Sequence, residues 1–212
     1  MSQLPVFPPL LTGLAAGPAN PVAIAVAQAE RGVEAGLLVW SQTEERLRAA
    51  LVLAPETHLE EAMAGIVACA VAMQNALGVL APPETSVHLD WTGELRLNGA
   101  HVGGLRMICP ETDAKAEPLW MVVALDLTLR LPDNLEPGQT PNWTALNQEG
   151  CGEVDGITLL ETWARHSLLW LNGLDDPAGR SALYREWKGL VWNLGKETSV
   201  ALPGETLRGM FL

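Results

Sequence analysis

Cysteine is scarce in this chain, and the three cysteines present share no pairing motif. Cys69, Cys109 and Cys151 are far apart and form no Cys-x-x-Cys pair. An odd number at such spacings argues against a disulfide framework and against a cysteine-based zinc site. A reducing compartment is therefore expected, and we predict a cytoplasmic protein.

Positive charge is also scarce. The chain has 13 Lys and Arg residues against 25 Asp and Glu residues, for a net charge of −12. Nucleic-acid phosphates and anionic lipid headgroups are bound by clustered basic side chains, and here the basic residues are scattered. The composition argues against nucleic acid and membrane surfaces as partners, and it leaves room for a basic protein partner.

Long hydrophobic runs are missing as well. The most apolar stretch, residues 65–80, is shorter than a membrane span and includes Gln74 and Asn75, so it predicts a buried helix. The N-terminal residues are interrupted by prolines and lack a basic segment, so no secretory signal is expected. With 212 residues, 48% of them hydrophobic, the chain is long enough for one sizeable globular domain with a small appendage.

Several familiar catalytic patterns are absent from the sequence. It contains no Gly-x-Ser-x-Gly elbow and no glycine-rich loop of the Walker or dinucleotide-binding type. His58, His88 and His166 have no metal-ligand spacing with one another, and we assign no metal site. The residues alone therefore point to no cofactor.

The order of predicted elements indicates an α+β domain. Asn20-Pro21 predicts a helix start, with the helix running to about Arg31. The segment Thr57-His58-Leu59-Glu60 predicts a capping box with Thr57 at the N-cap, opening a long helix to Gly78. Two further helices are predicted at 157–171 and from Asp176-Pro177 to about 188. Strands are predicted at 37–40, 47–53, 86–90, 94–98, 101–108 and 119–131. A polar turn is expected at 41–46 and a loop at 132–142. The chain ends in a predicted hairpin of strands 198–202 and 206–212 around Pro203-Gly204. This order favours a mainly antiparallel mixed sheet backed by helices.

The most informative stretch is His88-Leu89-Asp90-Trp91-Thr92-Gly93-Glu94-Leu95-Arg96-Leu97-Asn98-Gly99-Ala100-His101-Val102-Gly103-Gly104-Leu105. Asn98-Gly99 is a strong signal for a two-residue hairpin turn. The stretch resembles the ligand-site hairpin of the biotin and lipoate protein ligase family, whose pattern is Lys-Trp-Pro-Asn-Asp, a strand, a turn, and Lys-(Leu/Val/Ile)-(Ala/Gly)-Gly. Asp90-Trp91-Thr92-Gly93-Glu94 falls on the first part and His101-Val102-Gly103-Gly104 on the second.

Three further segments carry the resemblance. Trp40-Ser41-Gln42-Thr43 resembles the Gln-Thr before the family's glycine- and arginine-rich adenylate loop. Residues 121–128 lie at its Gly-x-Gly-x-Asn strand, and residues 142–150 resemble the segment before its last helices. The resemblance implies a class II aminoacyl-tRNA synthetase/biotin protein ligase-like core over residues 1–190. Residues 191–212 would then be the beginning of a small C-terminal β-barrel domain, cut short.

The family's chemistry is the formation of an acyl-adenylate from a carboxylate and ATP, followed by transfer to a lysine of a carrier protein. The resemblance thus implies biotin, lipoate or ATP as ligands and a biotinyl or lipoyl carrier domain as partner. The motif residues depart from the family's. His101 and Asp90 stand at its lysines, Thr128 at its asparagine, and only Thr43-Glu44-Glu45-Arg46 remains where its adenylate loop would be.

The candidate site residues follow from this resemblance. His101 is the candidate catalytic residue, since a protonated imidazole could stabilise an anion. The candidate ligand-binding residues are Gln42, Trp91, Glu94, Gly103, Gly104 and Thr128. Most of these residues also have a structural interpretation: a hydrogen-bonding side chain at the hairpin edge for His101, a bend or bulge for the glycines, core packing for Trp91 and a solvated turn carboxylate for Glu94.

Three functions remain open at this point. The first is a divergent family member that binds a small acyl or carboxylate ligand without forming an adenylate, as a binding or regulatory protein or as an acyltransferase for a pre-activated acyl group. The second is an active biotin, lipoate or octanoate ligase or transferase that uses His101 in place of lysine. The third is a structural or protein-interaction module. The sequence leaves the ligand and the oligomeric state open.

Overall fold

The computed structural model describes residues 4–132, 135, 139–140, 142–202 and 204–211. Within these residues the helices are α1 Pro21–Glu30, α2 Leu59–Ala62, α3 Ala64–Leu80, α4 Gly156–Gly173 and α5 Pro177–Leu190, with a 3₁₀ turn at Leu146–Glu149. The strands are β1 Thr12–Ala15, β2 Leu37–Gln42, β3 Arg46–Leu53, β4 Val87–Leu89, β5 Glu94–Leu97, β6 Ala100–Ile108, β7 Met121–Thr128, β8 Glu197–Leu202 and β9 Glu205–Met210.

Seven of the strands form one mixed sheet in the order β1-β2-β3-β7-β6-β5-β4. Strand β1 runs parallel to β2, and every other pair in this sheet is antiparallel. The mainly antiparallel mixed sheet backed by helices is therefore confirmed. Strand β1 was not predicted, because its four residues are all exposed and show no alternation. It exists through pairing with Leu37–Trp40 of β2.

Helices cover the two faces of the sheet unequally. Helices α3 and α4 pack together on one face, the helix face, where alternate strand residues such as Leu51 and Leu125 enter the main core. Helix α1 covers part of the other face over Val39, Val52 and Val122. The rest of that second face, toward β5 and the Arg46 end of β3, carries polar side chains, and we call it the open face.

The predicted helix starts were right in one case and wrong in another. Asn20 caps α1 as expected, accepting a hydrogen bond from the Val22 N–H at 3.0 Å. Thr57 is not an N-cap: α2 begins after His58, and no side chain caps it. The N–H groups of Leu59 and Glu60 instead donate to the carbonyls of Ala116 and Ala114. A loop distant in sequence thus satisfies the donors that a capping box would have served.

The long apolar helix is part of the core. By length and composition the segment Leu59–Leu80 could cross a membrane, with a mean hydropathy of 1.8. It is half buried here, and α3 packs along α4. The fully buried indole of Trp163 donates from Nε1 to the Cys69 carbonyl at 2.9 Å. Burial raises the pKa of the Cys69 thiol to about 12, so this thiol stays protonated and unreactive.

The end of the described chain forms a separate two-stranded sheet of β8 and β9. It follows α5 through Val191, which bridges Leu89 of β4, and Trp192, whose N–H donates to the Leu89 carbonyl. The predicted final hairpin is confirmed in its strands, while Pro203 and Leu212 lie outside the described residues. So does part of the predicted 132–142 loop. The proposed boundary between 1–190 and 191–212 stays a prediction.

The Trp163 hydrogen bond predicts a measurable loss of stability in Trp163→Phe. The variant removes a buried donor and part of a large side chain between α3 and α4. We expect the free energy of unfolding to fall by about 2 kcal/mol in urea titrations. Trp91→Phe, at a half-exposed position, is the control and should stay within about 0.5 kcal/mol of the wild type. Equal stability of both variants would contradict this view of the core.

Candidate functional site

The hairpin between β5 and β6 sets the geometry of the candidate site. Asn98 and Gly99 have φ values of 48° and 94°, so both turn residues lie in the left-handed region that a two-residue hairpin requires. This turn places Leu97 opposite Ala100 and Arg96 opposite His101. A bulge follows, since Leu95 pairs with Gly103. The hairpin predicted from Asn98-Gly99 therefore forms, and it joins Arg96 to His101.

The two ring nitrogens of His101 face groups of opposite charge. Its Nε2 lies 2.6 Å from a terminal guanidinium nitrogen of Arg96. Its Nδ1 lies 2.6 Å from Oε2 of Glu94 and 3.9 Å from Oδ2 of Asp90, although neither contact has hydrogen-bond alignment. Because a guanidinium only donates, Nε2 must accept, and the neutral ring then carries its proton on Nδ1, toward the carboxylates.

The backbone around His101 is fixed as well. Its N–H donates to the Asn142 carbonyl at 2.8 Å, and its carbonyl accepts from the Thr144 N–H at 2.7 Å. The imidazole also lies against Trp143, with ring centroids 5.5 Å apart. His101 thus joins the hairpin to the segment at 142–144, and its side chain is 16% exposed.

Asp90, Glu94 and His101 are close enough together to hold a metal ion, with one ligand atom from each within 4.8 Å of the others. Arg96 already occupies this cluster. Its Nε donates to Asp90 Oδ2 at 2.9 Å, and its other nitrogens contact the Gly99 carbonyl and His101. A ring bound to a metal through Nδ1 would carry its proton on Nε2 and point it at the guanidinium. The four side chains therefore form one polar network around Arg96, in which Arg96 pairs with Asp90 and contacts His101.

A second ion-pair network lies on the open face. Asp126 of β7 accepts from Arg46 at 2.6 Å and from Arg48 at 3.2 Å. The strand register forms one row across the sheet, in which Arg48 is opposite Asp126, Asp126 opposite Gly104, and Gly104 opposite Glu94. Because Gly104 has no side chain, the row has a gap there, between the carboxylates of Asp126 and Glu94.

Gly103 and Gly104 have structural reasons to be glycine. A Cβ on Gly103 would lie 2.2 Å from the Asp126 carbonyl oxygen, and one on Gly104 would lie 3.0 Å from the Gly93 carbonyl oxygen. Both contacts are closer than ordinary packing permits. Close approach of β7 at the bulge therefore explains Gly103, while a side chain at Gly104 would need the turn before β5 to move by a few tenths of an ångström.

The remaining predicted residues are not gathered around His101. Gln42 lies on the helix face, where its amide contacts Gly156 at the start of α4. It lines a polar cavity of about 350 Å³. Trp91 is in the turn before β5 and is 48% exposed, while Thr128 is buried at the end of β7. Of the candidates, the structure brings together His101, Glu94, Gly103 and Gly104.

Four charged residues of these networks were missed: Arg96, Asp126, Arg46 and Arg48. A two-residue turn at Asn98-Gly99 places residue 96 opposite residue 101, so the Arg96–His101 pair could have been found from the sequence. Asp126 is 78 residues from Arg48. Their pairing depends on the sheet order, and no local pattern indicates it.

The segment at the family's adenylate loop is a tight turn. Strands β2 and β3 are joined by residues 43–45 alone. The Thr43 N–H donates to the Arg46 carbonyl at 2.8 Å, and the Arg46 N–H donates to the Thr43 hydroxyl at 3.1 Å. The turn is thus closed by its own hydrogen bonds, and two of its three residues are Glu44 and Glu45.

Comparison with known proteins agrees with this architecture. The sequence profile of the Biotin/lipoate A/B protein ligase family matches residues 7–189. A biotin protein ligase-like protein of unknown function from Silicibacter sp. TM1040 is 48% identical, with a TM-score of 0.89 over 98% of this chain and 88% of the other. The chain belongs to the biotin/lipoate protein ligase family.

More distant structures share the fold. Biotin protein ligase from Aquifex aeolicus, solved as a mutant in complex with biotin, is 13% identical with a TM-score of 0.71, over 95% of this chain and 86% of the other. Biotin protein ligase from Leishmania major, in complex with biotin, is 12% identical with a TM-score of 0.60, over 92% and 91%. The search of curated proteins found no match.

Tight packing at Gly103 predicts that Gly103→Ala is strongly destabilising. The new methyl group would overlap the Asp126 carbonyl, so strand β6 or β7 must shift, at a cost of about 2–4 kcal/mol. Gly189→Ala is the matched control, because it lies in α5 with no atom within 4 Å of a new Cβ. It should stabilise by up to about 1 kcal/mol. Chemical denaturation measures both, and a Gly103→Ala variant as stable as the wild type would refute the assignment.

Proposed function

We propose that this protein binds a small acyl or carboxylate ligand on the open face and does not form an acyl-adenylate. The observation that carries the proposal is the state of His101, whose two ring nitrogens face Arg96 and Glu94. A lysine there would present a free ammonium to an anionic intermediate. An imidazole that faces a guanidinium and a carboxylate does not present a free ammonium of this kind.

The turn between β2 and β3 supports the same conclusion. An adenylate phosphate is stabilised by backbone N–H donors and cations in a loop around it. Residues 43–45 close on themselves, and the carboxylates of Glu44 and Glu45 would repel a phosphate. Counting back from Thr128, the glycines of the family's Gly-x-Gly-x-Asn strand fall on Ala124 and Asp126. The Asp126 side chain therefore stands where the family pattern has no side chain.

A carboxylate ligand still has cations to bind. Asp126 is shared by two arginines, so Arg46 and Arg48 carry one positive charge in excess over it. Arg106 is exposed on β6 in the next row of the sheet, opposite Ala124. Arg48 and Arg106 are two strands and one row apart, so their Cα atoms are about 12 Å apart, with Asp126 and Ala124 of β7 between them. A carboxylate bound at Arg48 or at Arg106 would have its acyl chain over a floor of Gly104 and Ala124, which carry little or no side chain.

Biotin, lipoate and octanoate share this chemistry, a carboxylate on an apolar chain, and they are the ligands we propose to test. A carrier domain is the partner that fits an acyl-binding role, and the cytoplasm is the proposed location. Trp91 and Glu94 lie beside the floor at the β4–β5 turn. Gln42 lies on the other face and takes no part, and Thr128 supports the end of β7.

The alternative of a ligase or transferase that uses His101 is disfavoured by the same contacts. To act as an acid or base, the ring would have to leave Arg96 or Glu94. The interaction-module alternative makes no use of the arginines Arg48 and Arg106 on the open face. A test of octanoate binding therefore distinguishes the interaction module from our proposal.

The proposal predicts that the protein does not adenylate its ligand. The protein should give no ATP–pyrophosphate exchange above background with biotin, lipoate or octanoate, because the phosphate-binding loop and the free ammonium are replaced. A biotin protein ligase assayed in parallel is the positive control. Clear exchange with any of the three acids would disprove the proposal, and loss of that exchange in His101→Ala would establish the alternative.

The proposal also predicts that the protein binds octanoate through arginines of the open face. Calorimetric titration should detect octanoate, and Arg48→Gln and Arg106→Gln should each weaken it about fivefold, which corresponds to an exposed ion pair of about 1 kcal/mol. Arg185→Gln, an exposed arginine on α5, is the control and should bind octanoate like the wild type. No binding to the wild type, or equal affinity in all three variants, would favour the interaction module.

A further inference from the structure

A second, larger cavity lies at the other end of β3 and β7 from the open-face row. It has a volume of about 560 Å³, within the range of small-molecule sites. It opens between the end of β3, the start of β7, α2, and the C-terminal part of α4. None of the residues predicted to bind ligand lines it.

The interior of this cavity is apolar. Leu53, Met121, Leu168 and Leu171 form its walls, and Ala64 lies at the start of α3. Gly65 forms part of the floor, where a Cβ would lie 3.3 Å from Leu53 Cδ1 and 3.7 Å from Leu171 Cδ2. The small residues at the start of α3 thus keep the space open, and an alkyl chain or ring would be desolvated there.

The rim of the cavity is acidic. Glu56, Glu61 and Asp175 line it. Arg180 is the one basic residue among its lining residues, all of which the structure describes, and it donates to the Leu174 carbonyl at 2.6 Å. Helix α4 also ends here, at Gly173, and the C-terminus of a helix carries partial negative charge. The rim therefore attracts cations and repels carboxylates.

We propose that this cavity is a binding site for a small amphiphile with an apolar body and a protonated amine. The apolar part lies against Leu53 and Leu171, and the ammonium lies at the rim near Glu61 and Asp175. This ligand has the opposite charge from the carboxylate proposed for the open face. The two sites therefore select different molecules and can be tested separately.

The test uses three eight-carbon probes that differ in their head group: n-octylamine, 1-octanol and octanoate. Leucine-methyl NMR spectra of the full chain, titrated at neutral pH below the aggregation limit of each probe, report binding at Leu53, Leu168 and Leu171. Octylamine should shift these methyls saturably and bind at least about fivefold more tightly than octanol, with octanoate the weakest there. Equal shifts from octylamine and octanol, or no saturable shift from octylamine, would overturn the proposal.

Two variants locate the effect. Ala64→Leu fills the cavity with a good helix former and should abolish octylamine binding. Glu61→Gln changes an exposed side chain and should weaken octylamine about two- to fivefold while leaving octanol unchanged, and Glu84→Gln, an exposed acid away from the cavity, is the control. If Ala64→Leu fails to fold, Glu61→Gln decides alone: unchanged octylamine affinity refutes the site. Octanoate binding that depends on Arg48 is a separate result and bears only on the open face.

Discussion

The pairing of β7 with β3 on one side and β6 on the other is the constraint on which the rest of the structure depends. Every residue of β7 has a partner in β3, and six of them also have a partner in β6. Because side chains alternate along a strand, Val123 and Leu125 enter the core while Asp126 and Thr128 face the other way. One strand thus fixes both the packing of the helices and the position of the ion pairs, so a register shift would disrupt both together.

The two-residue turn at Asn98-Gly99 has a comparable effect on the hairpin. By placing Arg96 opposite His101, it turns a position that could present a cation to a ligand into a link between two strands. Asp90 then neutralises Arg96, and Glu94 faces the ring proton of His101. Glu94 keeps a charge of its own and is about half exposed to solvent. The hairpin thus keeps the strand-turn-strand frame of the family pattern while its own side chains contact one another.

A structural feature could be predicted from the sequence where the residues that cause it are neighbours in the chain. The start of α1 at Asn20-Pro21 and the turn at Asn98-Gly99 are set by residues that act on their own backbone, and both were predicted. Thr57 failed as a cap because a segment more than fifty residues away supplies the hydrogen bonds. Gln42 was expected in a turn. Because β2 continues through Gln42, its side chain follows the alternation of the strand and lies on the helix face. The pairing of Asp126 with Arg48 required the strand order, which no local signal contains.

The departures from the family pattern are physically coupled. A short turn at 43–45 brings Arg46 and Arg48 onto β3 without a loop above them, and Asp126, at a glycine position of the pattern, neutralises part of their charge. A lysine at position 101 would place an ammonium beside the Arg96 guanidinium, and the two like charges would repel. The carboxylates of Asp90 and Glu94 offset that repulsion, so the charges alone do not exclude a lysine at this position. The short β2–β3 turn and Asp126 are coupled more directly, because Asp126 offsets the positive charge of the two arginines that begin β3 after this turn.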